Sequence, residues 1–381
     1  EMIQSLGARV SHLDEKRVSI DPREVYTSHV VLPENGSNRI PVLLLGALLH
    51  TFDEVVVPNV AGDNIGKRPV DFHTQALEQF GAEVEMSDEG YIARKSGALQ
   101  GTTITLPYPS VGATENSLFL AVKSEGETVI TNAAVEPEVM ELITMLRSMG
   151  AIIFTTPGRE IRIVGVPELS GTFMHILGDR IEAASWAALA GATNGQITVN
   201  GIRPETLGNF LSYFREVGGG FQLESEDAIT FYRERELTPT FVTTDVYPGF
   251  STDWQQPFAI LLTQAEGTST IHETVFDDRF GYLDALNTLG AKTEVLTECR
   301  GTPCRFEGKQ YPHTALIYGK TELQSDGHTI HIPDLRAGLA YIIAAAVTEG
   351  DVYVTGVEQV ERGYGDIVSK LQDVNLDIER V

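Results

Sequence analysis

The sequence predicts an α/β protein of two domains, each assembled from three copies of one repeat. Three observations predict it. A helix-like segment that ends in Leu-Gly-Ala or a near variant, and is followed by a strand, recurs along the chain. Its copies are Leu6-Gly7-Ala8, Phe80-Gly81-Ala82, Met149-Gly150-Ala151, Val217-Gly218-Gly219 and Leu289-Gly290-Ala291, with a degenerate last copy at Val374-Asn375-Leu376. Successive glycines lie 68 to 74 residues apart, and glycine suits the left-handed cap that ends a helix before a strand. A second series of mostly apolar helices interleaves with the first, at 39–52, 113–124, 181–193, 254–265 and 335–348. Polar breaks follow four of these at Glu125-Gly126, Asn194-Gly195, Glu266-Gly267 and Glu349-Gly350, and each break feeds a β-branched strand. Helices that are apolar nearly all round belong inside, whereas amphipathic partners such as 138–148 keep one face outward.

The six glycine-ended helices outnumber the five apolar ones, because the first repeat opens at Glu1 inside its amphipathic helix. A sixth apolar helix and its strands are therefore expected before Glu1. Six repeats divide into two domains, residues 1–178 and 179–381, with the crossing near Leu177-Gly178-Asp179.

Composition narrows the function. With 381 residues, 42% hydrophobic and 21% charged, the chain has the make-up of an ordinary soluble protein with room for two cores. A net charge of −25 excludes general affinity for nucleic acid or an anionic membrane, so an anionic substrate must be held by a local group of arginines. The longest apolar runs, 42–49 and 337–347, are too short to span a bilayer. No basic segment followed by an apolar stretch opens the chain, and a cytoplasmic location is expected. Cys299 and Cys304 are too few for a zinc site or a disulfide framework and read as two reduced thiols; no metal and no cofactor are expected.

Taken in order, the chemistry-bearing segments begin with the glycine-flanked loop from Gly62-Asp63-Asn64-Ile65-Gly66-Lys67-Arg68-Pro69 into Val70-Asp71-Phe72-His73. It carries an acid and two cations to a helix start, where free N–H groups and the helix dipole favour anions. Polar residues also gather at the first turns of the apolar helices: Asn38-Arg39, Ser110-Val111-Gly112, Asp179-Arg180-Ile181-Glu182, Ser251-Thr252-Asp253 and Asp334-Leu335-Arg336. Capping accounts for Ser110, Thr252 and Asp334. It does not account for Arg39, Arg180 and Arg336, since a cation at a helix N-terminus opposes the dipole, and these three read as anion clamps. Arg279 and Arg362 lie at comparable points late in their repeats, while Glu136-Pro137-Glu138 reads as an ordinary helix start.

Over essentially its whole length the chain resembles the UDP-N-acetylglucosamine 1-carboxyvinyltransferase family of enolpyruvyl transferases, and more distantly the shikimate-phosphate enolpyruvyl transferases. The segments that carry the resemblance are 65–73, 110–114, 179–182, 247–253 and 334–336, with the closing Arg362-Gly363-Tyr364 and Ile378-Glu379-Arg380-Val381. It implies two inside-out α/β barrels of three repeats each, with the active site in the cleft between them. The implied reaction moves the enolpyruvyl group of phosphoenolpyruvate to the 3-hydroxyl of UDP-N-acetylglucosamine with release of phosphate, the first committed step of peptidoglycan synthesis. The implied partners are these two small molecules, without nucleic acid or membrane. Two alternatives are an enolpyruvyl transferase for another nucleotide, of the uridine monophosphate type, and a non-catalytic paralogue that binds nucleotide sugar.

The resemblance also implies roles. Arg68, Pro69, Val70, Asp71 and Phe72, with Tyr108, Ser110, Val111 and Gly112, would line the uridine diphosphate pocket, with Arg39 near the sugar nucleotide and Arg180 among the substrate-binding residues. Asp253 would take the proton from the sugar hydroxyl, and Val275 would sit beside the sugar. Arg68, Arg336 and Arg362, with Arg279 nearby, would hold phosphoenolpyruvate. Four positions depart from the family pattern. Asp63 stands where the general acid is usually a cysteine, Tyr108 where a lysine is common and Tyr247 where a histidine is frequent. The fourth is a Lys-Asn pair that binds phosphoenolpyruvate and would fall before Glu1.

Overall fold

The computed structural model describes residues 1–32, 38–60, 70–88, 90–302 and 304–381. The first repeat gives α1 (Met2–Ser5), β1 (Arg9–His12) and β2 (Val18–Asp21). In the second, a 3-10 turn (Ile40–Val42) runs into α2 (Leu43–Leu48), then β3 (Glu54–Pro58), α3 (Asp71–Gln79), β4 (Ala82–Ser87) and β5 (Gly90–Lys95). The third holds β6 (Thr103–Thr105), α4 (Val111–Ala121), β7 (Glu127–Thr131), α5 (Pro137–Ser148), β8 (Ile152–Thr155) and β9 (Ile161–Val164). The fourth holds α6 (Arg180–Thr193), β10 (Gln196–Asn200), α7 (Gly208–Val217), β11 (Gly219–Ser225) and β12 (Ala228–Arg233). The fifth has β13 (Phe241–Thr243), a 3-10 turn (Thr252–Trp254) into α8 (Gln255–Thr263), β14 (Gly267–His272), α9 (Tyr282–Thr288), β15 (Lys292–Leu296) and β16 (Thr314–Gly319). The last has β17 (His328–His331), α10 (Leu335–Val347), β18 (Val352–Thr355), α11 (Glu358–Tyr364) and α12 (Ile367–Asp373).

Backbone geometry carries the repeat. Gly7, Gly81, Gly150, Gly218 and Gly290 follow α1, α3, α5, α7 and α9 with φ between 94° and 123°, and Asn375 follows α12 with φ 63°. A Cβ is penalised at such angles, which leaves glycine, or asparagine near the left-handed helical region, as the residues that fit. The strand order repeats too. β6-β7-β9-β8 and β13-β14-β16-β15 are four-stranded, with the first pair parallel and the rest antiparallel, and β3-β5-β4 and β10-β12-β11 are the same arrangement without its outer strand. The expected apolar helix at 39–52 is shorter than its pattern and starts as a 3-10 turn, with Pro41 at the point where no amide donor is needed.

The chain divides into two units, one ending at Ile176 and one beginning at Leu177, each with its own core. The mostly apolar helices α4, α6, α8 and α10 lie inside their units. All nine residues of α8 are buried, whereas β11, β8 and β4 expose most of their residues. In the second unit α6, α8 and α10 pack on one another, and Phe210, Phe250, Trp254 and Phe258 form an aromatic cluster with ring centroids 5.3–6.3 Å apart. Burying each such ring contributes roughly 1.5–3 kcal/mol, and Trp254 fixes the turn that precedes α8. Among the described residues, no helix is long and apolar enough to cross a membrane.

One charge sits badly in this packing. Glu115, half-buried on α4, is pushed up to about 7 by burial, with Glu138 and Glu136 beside α5 adding to the effect. Below the usual carboxylate range the group is protonated in folded and unfolded chains alike. As pH rises from there to about 7 the unfolded chain ionises first, so this residue subtracts stability across that interval. Glu115→Gln is therefore expected to raise the melting temperature at pH 8 and leave it unchanged at pH 4; a shift of equal size at both pH values would show that charge is not the cause. Gly81→Ala is expected to cost about 1–2 kcal/mol in denaturant unfolding, although an added Cβ there meets no atom within 4 Å, because the strain is in the backbone. Unchanged stability would mean that dihedral angle does not pin the repeat.

Candidate active site

In the second unit the N-terminal ends of three buried helices meet. Asp179 caps α6, accepting from the amides of Ile181 at 2.7 Å and Glu182 at 3.1 Å. Asp334 caps α10, accepting from the amides of Arg336 and Ala337 at 2.9 Å each. The turn before α8 is capped by Ser251, whose hydroxyl accepts from the Asp253 amide at 3.3 Å. Arg336 joins all three: its Nη1 donates to Asp179 Oδ2 at 3.3 Å and to the Tyr364 hydroxyl at 2.6 Å, and its Nε lies 3.4 Å from Asp253 Oδ2. The other oxygen of Asp253 accepts from Nη2 of Arg279, whose side chain is 1% exposed and lies over the Phe276 ring. Asp253 is thus an aspartate between two guanidinium groups, and its 29% exposure leaves it open to a ligand. Turned so that its oxygen faces Arg279, the Gln256 amide accepts from Nε and Nη2 at 2.9 Å. Arg180 is buried with its guanidinium over the rings of Trp254 and Tyr247, at 5.2 and 5.8 Å.

A second carboxylate lies behind Asp253. Glu273 is fully buried at the end of β14, and its oxygens accept from the amides of Val275 at 2.6 Å and Phe276 at 2.8 Å, from the Thr252 hydroxyl at 2.9 Å, and from the Gln255 amide. Burial raises its pKa, while these donors and Arg279 oppose the rise. Glu273 therefore ties the turn that carries Asp253 to the segment that carries Val275. Here the structure corrects one sequence expectation: Thr252 is not the helix cap. Ser251, one residue earlier, faces the free amides, and Thr252 points to the buried carboxylate.

In the first unit, Val70 is buried and precedes α3, Asp71 is the acid of its first turn, and the half-buried Phe72 packs on the core. Ser110 caps α4, accepting from the Ala113 amide at 3.4 Å, and its own amide donates to the Tyr108 carbonyl at 2.7 Å. Val111 opens α4, and Gly112 meets the His73 ring so closely that a Cβ would fall 3.1 Å from it. His73 is buried, with Nδ1 3.3 Å from the Asn116 amide nitrogen, and burial followed by the nearby charge of Arg39 lowers it to about 4, so it stands neutral. Arg39 itself precedes the 3-10 turn of the second repeat.

A family model described as EPSP synthase (3-phosphoshikimate 1-carboxyvinyltransferase) matches residues 1–371. The chain belongs to this family. Among curated relatives, the UDP-N-acetylglucosamine 1-carboxyvinyltransferase of Protochlamydia amoebophila is 46% identical over 365 residues, which cover 94% of this chain and 78% of that protein. The protein of the same name from Chlamydia pneumoniae is 44% identical over 384 residues, 100% of this chain and 83% of that one. Among solved structures, the enolpyruvyl transferase NikO from Streptomyces tendae matches 99% of this chain and 86% of its own with a TM-score of 0.85 at 21% identity. EPSP synthase from Acinetobacter baumannii matches 99% of this chain and 86% of its own with a TM-score of 0.69 at 18% identity. These two likenesses concern the fold, and the mixed α/β fold of this chain is that of the enolpyruvyl transferases.

For this member of the EPSP synthase family, the structure brings Asp253, Arg279 and Arg336 together and ties Val275 through Glu273 to Thr252, the residue before Asp253. Arg362 is exposed on α11, the helix whose Tyr364 holds Arg336. Asp63, Arg68 and Pro69 lie outside the described residues. Sequence reading missed Glu273, Tyr364 and Gln256. The sequence held little signal for Glu273: β14 reads Gly-Thr-Ser-Thr-Ile-His, and this acid follows it like any acid at the end of a strand. Glu273→Ala leaves two backbone amides, the Thr252 hydroxyl and the Gln255 side-chain amide without this acceptor, at about 1–3 kcal/mol for each one left buried and unpaired. Glu273→Gln keeps one acceptor oxygen and is expected to unfold at a temperature between that of Glu273→Ala and the wild type. Equal melting temperatures for the two variants would mean that the carboxylate does not hold these segments.

Proposed function

We propose that the protein transfers the enolpyruvyl group of phosphoenolpyruvate to the 3-hydroxyl of UDP-N-acetylglucosamine and releases phosphate. The observation that carries the reading is the aspartate held between two arginines at the meeting point of three helix N-termini. The names and identities of the relatives support the choice of acceptor. Chemically, the hydroxyl adds to C2 of the enol phosphate while C3 takes a proton, and the tetrahedral ketal then loses a proton from C3 as its C2–O bond to phosphate breaks, which restores the double bond in the product. That sequence needs a base for the hydroxyl, an acid for C3 and fixed positive charge for the phosphate and carboxylate.

In this reading Arg336 and Arg279, with Arg68 and Arg362, receive the anionic groups of phosphoenolpyruvate, drawing guanidinium groups away from Asp253. Asp253 then accepts the proton of the sugar hydroxyl. Asp63 supplies the proton at C3, and the first-turn residues Val70, Asp71, Phe72, Tyr108, Ser110, Val111 and Gly112, with Arg39, hold the nucleotide; Arg180 and Val275 complete the substrate contacts. The product is a precursor of peptidoglycan, the enzyme works in the cytoplasm, and its contribution to cell shape and division follows from that product.

A phosphate-release assay tests the acceptor. Turnover with UDP-N-acetylglucosamine and none with uridine monophosphate is expected, and the reverse would overturn the acceptor. Asp253→Asn is expected to lower kcat by about 10²–10⁴-fold without loss of phosphoenolpyruvate binding. Unchanged kcat would remove it as the base. Asp63→Cys is expected to keep activity and become sensitive to the epoxide fosfomycin, since a thiolate attacks that carbon far better than a carboxylate. Full activity of Asp63→Asn would take Asp63 out of the proton transfer.

A further inference from the structure

The hairpins of the repeat differ in one place. β4 and β5 are joined between Ser87 and Gly90, β8 and β9 across 156–160, and β11 and β12 between Ser225 and Ala228, but β15 and β16 are separated by the whole stretch 297–313. A long hairpin loop without strands or helices of its own needs something to order it. Part of that order is visible. Phe306 is buried against the rings of Tyr311 and His313, and Gly301 sits so close over His272 that a Cβ would fall 2.8 Å from its ring.

Both cysteines of the chain, Cys299 and Cys304, lie in this loop, with His313 at its end and His272 facing it from the end of β14. A ring nitrogen of His272, a ring nitrogen of His313 and Sγ of Cys304 all lie within 4.8 Å of one another, and among the described residues this is the one such group of three or more. Cys299 Sγ is 3.2 Å from His313 Nε2. The hydrogen bonds fix the tautomers. Thr314 gives its hydroxyl proton to the Glu298 carbonyl at 2.7 Å, so toward His272 Nδ1, 3.0 Å away, its oxygen can only accept. His272 therefore carries its proton on Nδ1, and its Nε2, fully buried, is a lone pair without a hydrogen-bond partner. His313 Nδ1 lies 2.6 Å from the Tyr311 carbonyl and must donate to it, which leaves its Nε2 as a lone pair as well. Two imidazoles, each oriented by a donated Nδ1 proton, together with two thiols, are the donor set of a tetrahedral structural site.

We propose that His272, His313, Cys299 and Cys304 bind one zinc ion in a closed Cys2His2 site that fastens the 297–313 hairpin to the ends of β14 and β16. The donor set of two sulfurs and two imidazole nitrogens selects a borderline-soft tetrahedral ion over magnesium or calcium. Ligands about 2.0–2.3 Å from one ion lie roughly 3.3–3.8 Å from each other, so His272, His313 and Cys304 close by about one ångström, and the exposed Cys299, already beside His313 Nε2, swings in as the fourth ligand. Binding releases the two thiol protons, and with four protein ligands no position is left for a reacting water. The site borders the catalytic segment, for His272 precedes Glu273, and the Glu273 amide donates to the His313 carbonyl at 2.7 Å. Counting cysteines alone argued against zinc; the histidines, one at the end of β14 and one just before β16, supply the other half.

The test is metal analysis of the full chain, purified under thiol reductant without chelator, before and after dialysis against Zn²⁺ or Co²⁺. About one zinc per chain is expected, and the Co²⁺ form is expected to show thiolate-to-cobalt charge transfer with tetrahedral d–d bands. Cys299→Ser and Cys304→Ser are each expected to weaken zinc binding by about ten-fold or more. Cys299 is exposed, so its variant is expected to keep the wild-type circular dichroism and show the loss in a folded protein. Stripping the metal is expected to open the hairpin to protease. Failure of the reduced chain to take up either metal would overturn the site, as would zinc content and affinity unchanged in both serine variants. A Cys299–Cys304 disulfide in metal-free purified protein that resists zinc loading after reduction would assign the thiols a redox role instead.

Discussion

Three buried helices that present their N-termini at one place concentrate positive potential there, and much of the second unit answers to that constraint. Each helix end carries roughly half a positive charge, and each is met by its own cap: Asp179 for α6, Ser251 for α8 and Asp334 for α10. Placing arginines in the same spot is unfavourable unless further negative charge balances them. Asp253 and Asp179 provide that charge: Asp253 pairs with Arg279 and Arg336, and Asp179 with Arg336. An incoming anion thus enters a region whose field already favours it and whose arginines are already in place.

Geometry at this point is enforced from two directions. On one side the aromatic cluster around Trp254 anchors the turn by packing. On the other, Glu273 gathers the Thr252 hydroxyl and the Val275 and Phe276 amides into one hydrogen-bonded set. The aspartate between these anchors is presented on short backbone held from both sides, which suits the base proposed for it.

What the sequence disclosed follows what backbone and dipole physics restrict to few residue types. The repeat was legible because a positive φ admits little but glycine, and the arginines at first turns stood out because they oppose the dipole. Strand-end and cross-strand chemistry was not legible. Glu273 looks like any acid at the end of a strand until β14 and the turn before α8 are seen to converge on it, and nothing local predicts that His272 and His313 will face each other. Ser251 and Thr252 are equally good caps by composition, so only the backbone path decides between them. For Asp63, Arg68 and Pro69, which lie outside the described residues, the motif remains the whole of the argument.

Asn375 carries a last consequence. After an internal duplication, core positions can drift together, because one side chain can shrink while its neighbour grows and the volume is kept. A position whose torsion angle excludes nearly every side chain has no such freedom. The five glycines and Asn375 are thus the points at which the six copies are held to one torsion sign, and Asn375 shows the limit of that constraint: the residue differs while the sign of its torsion does not.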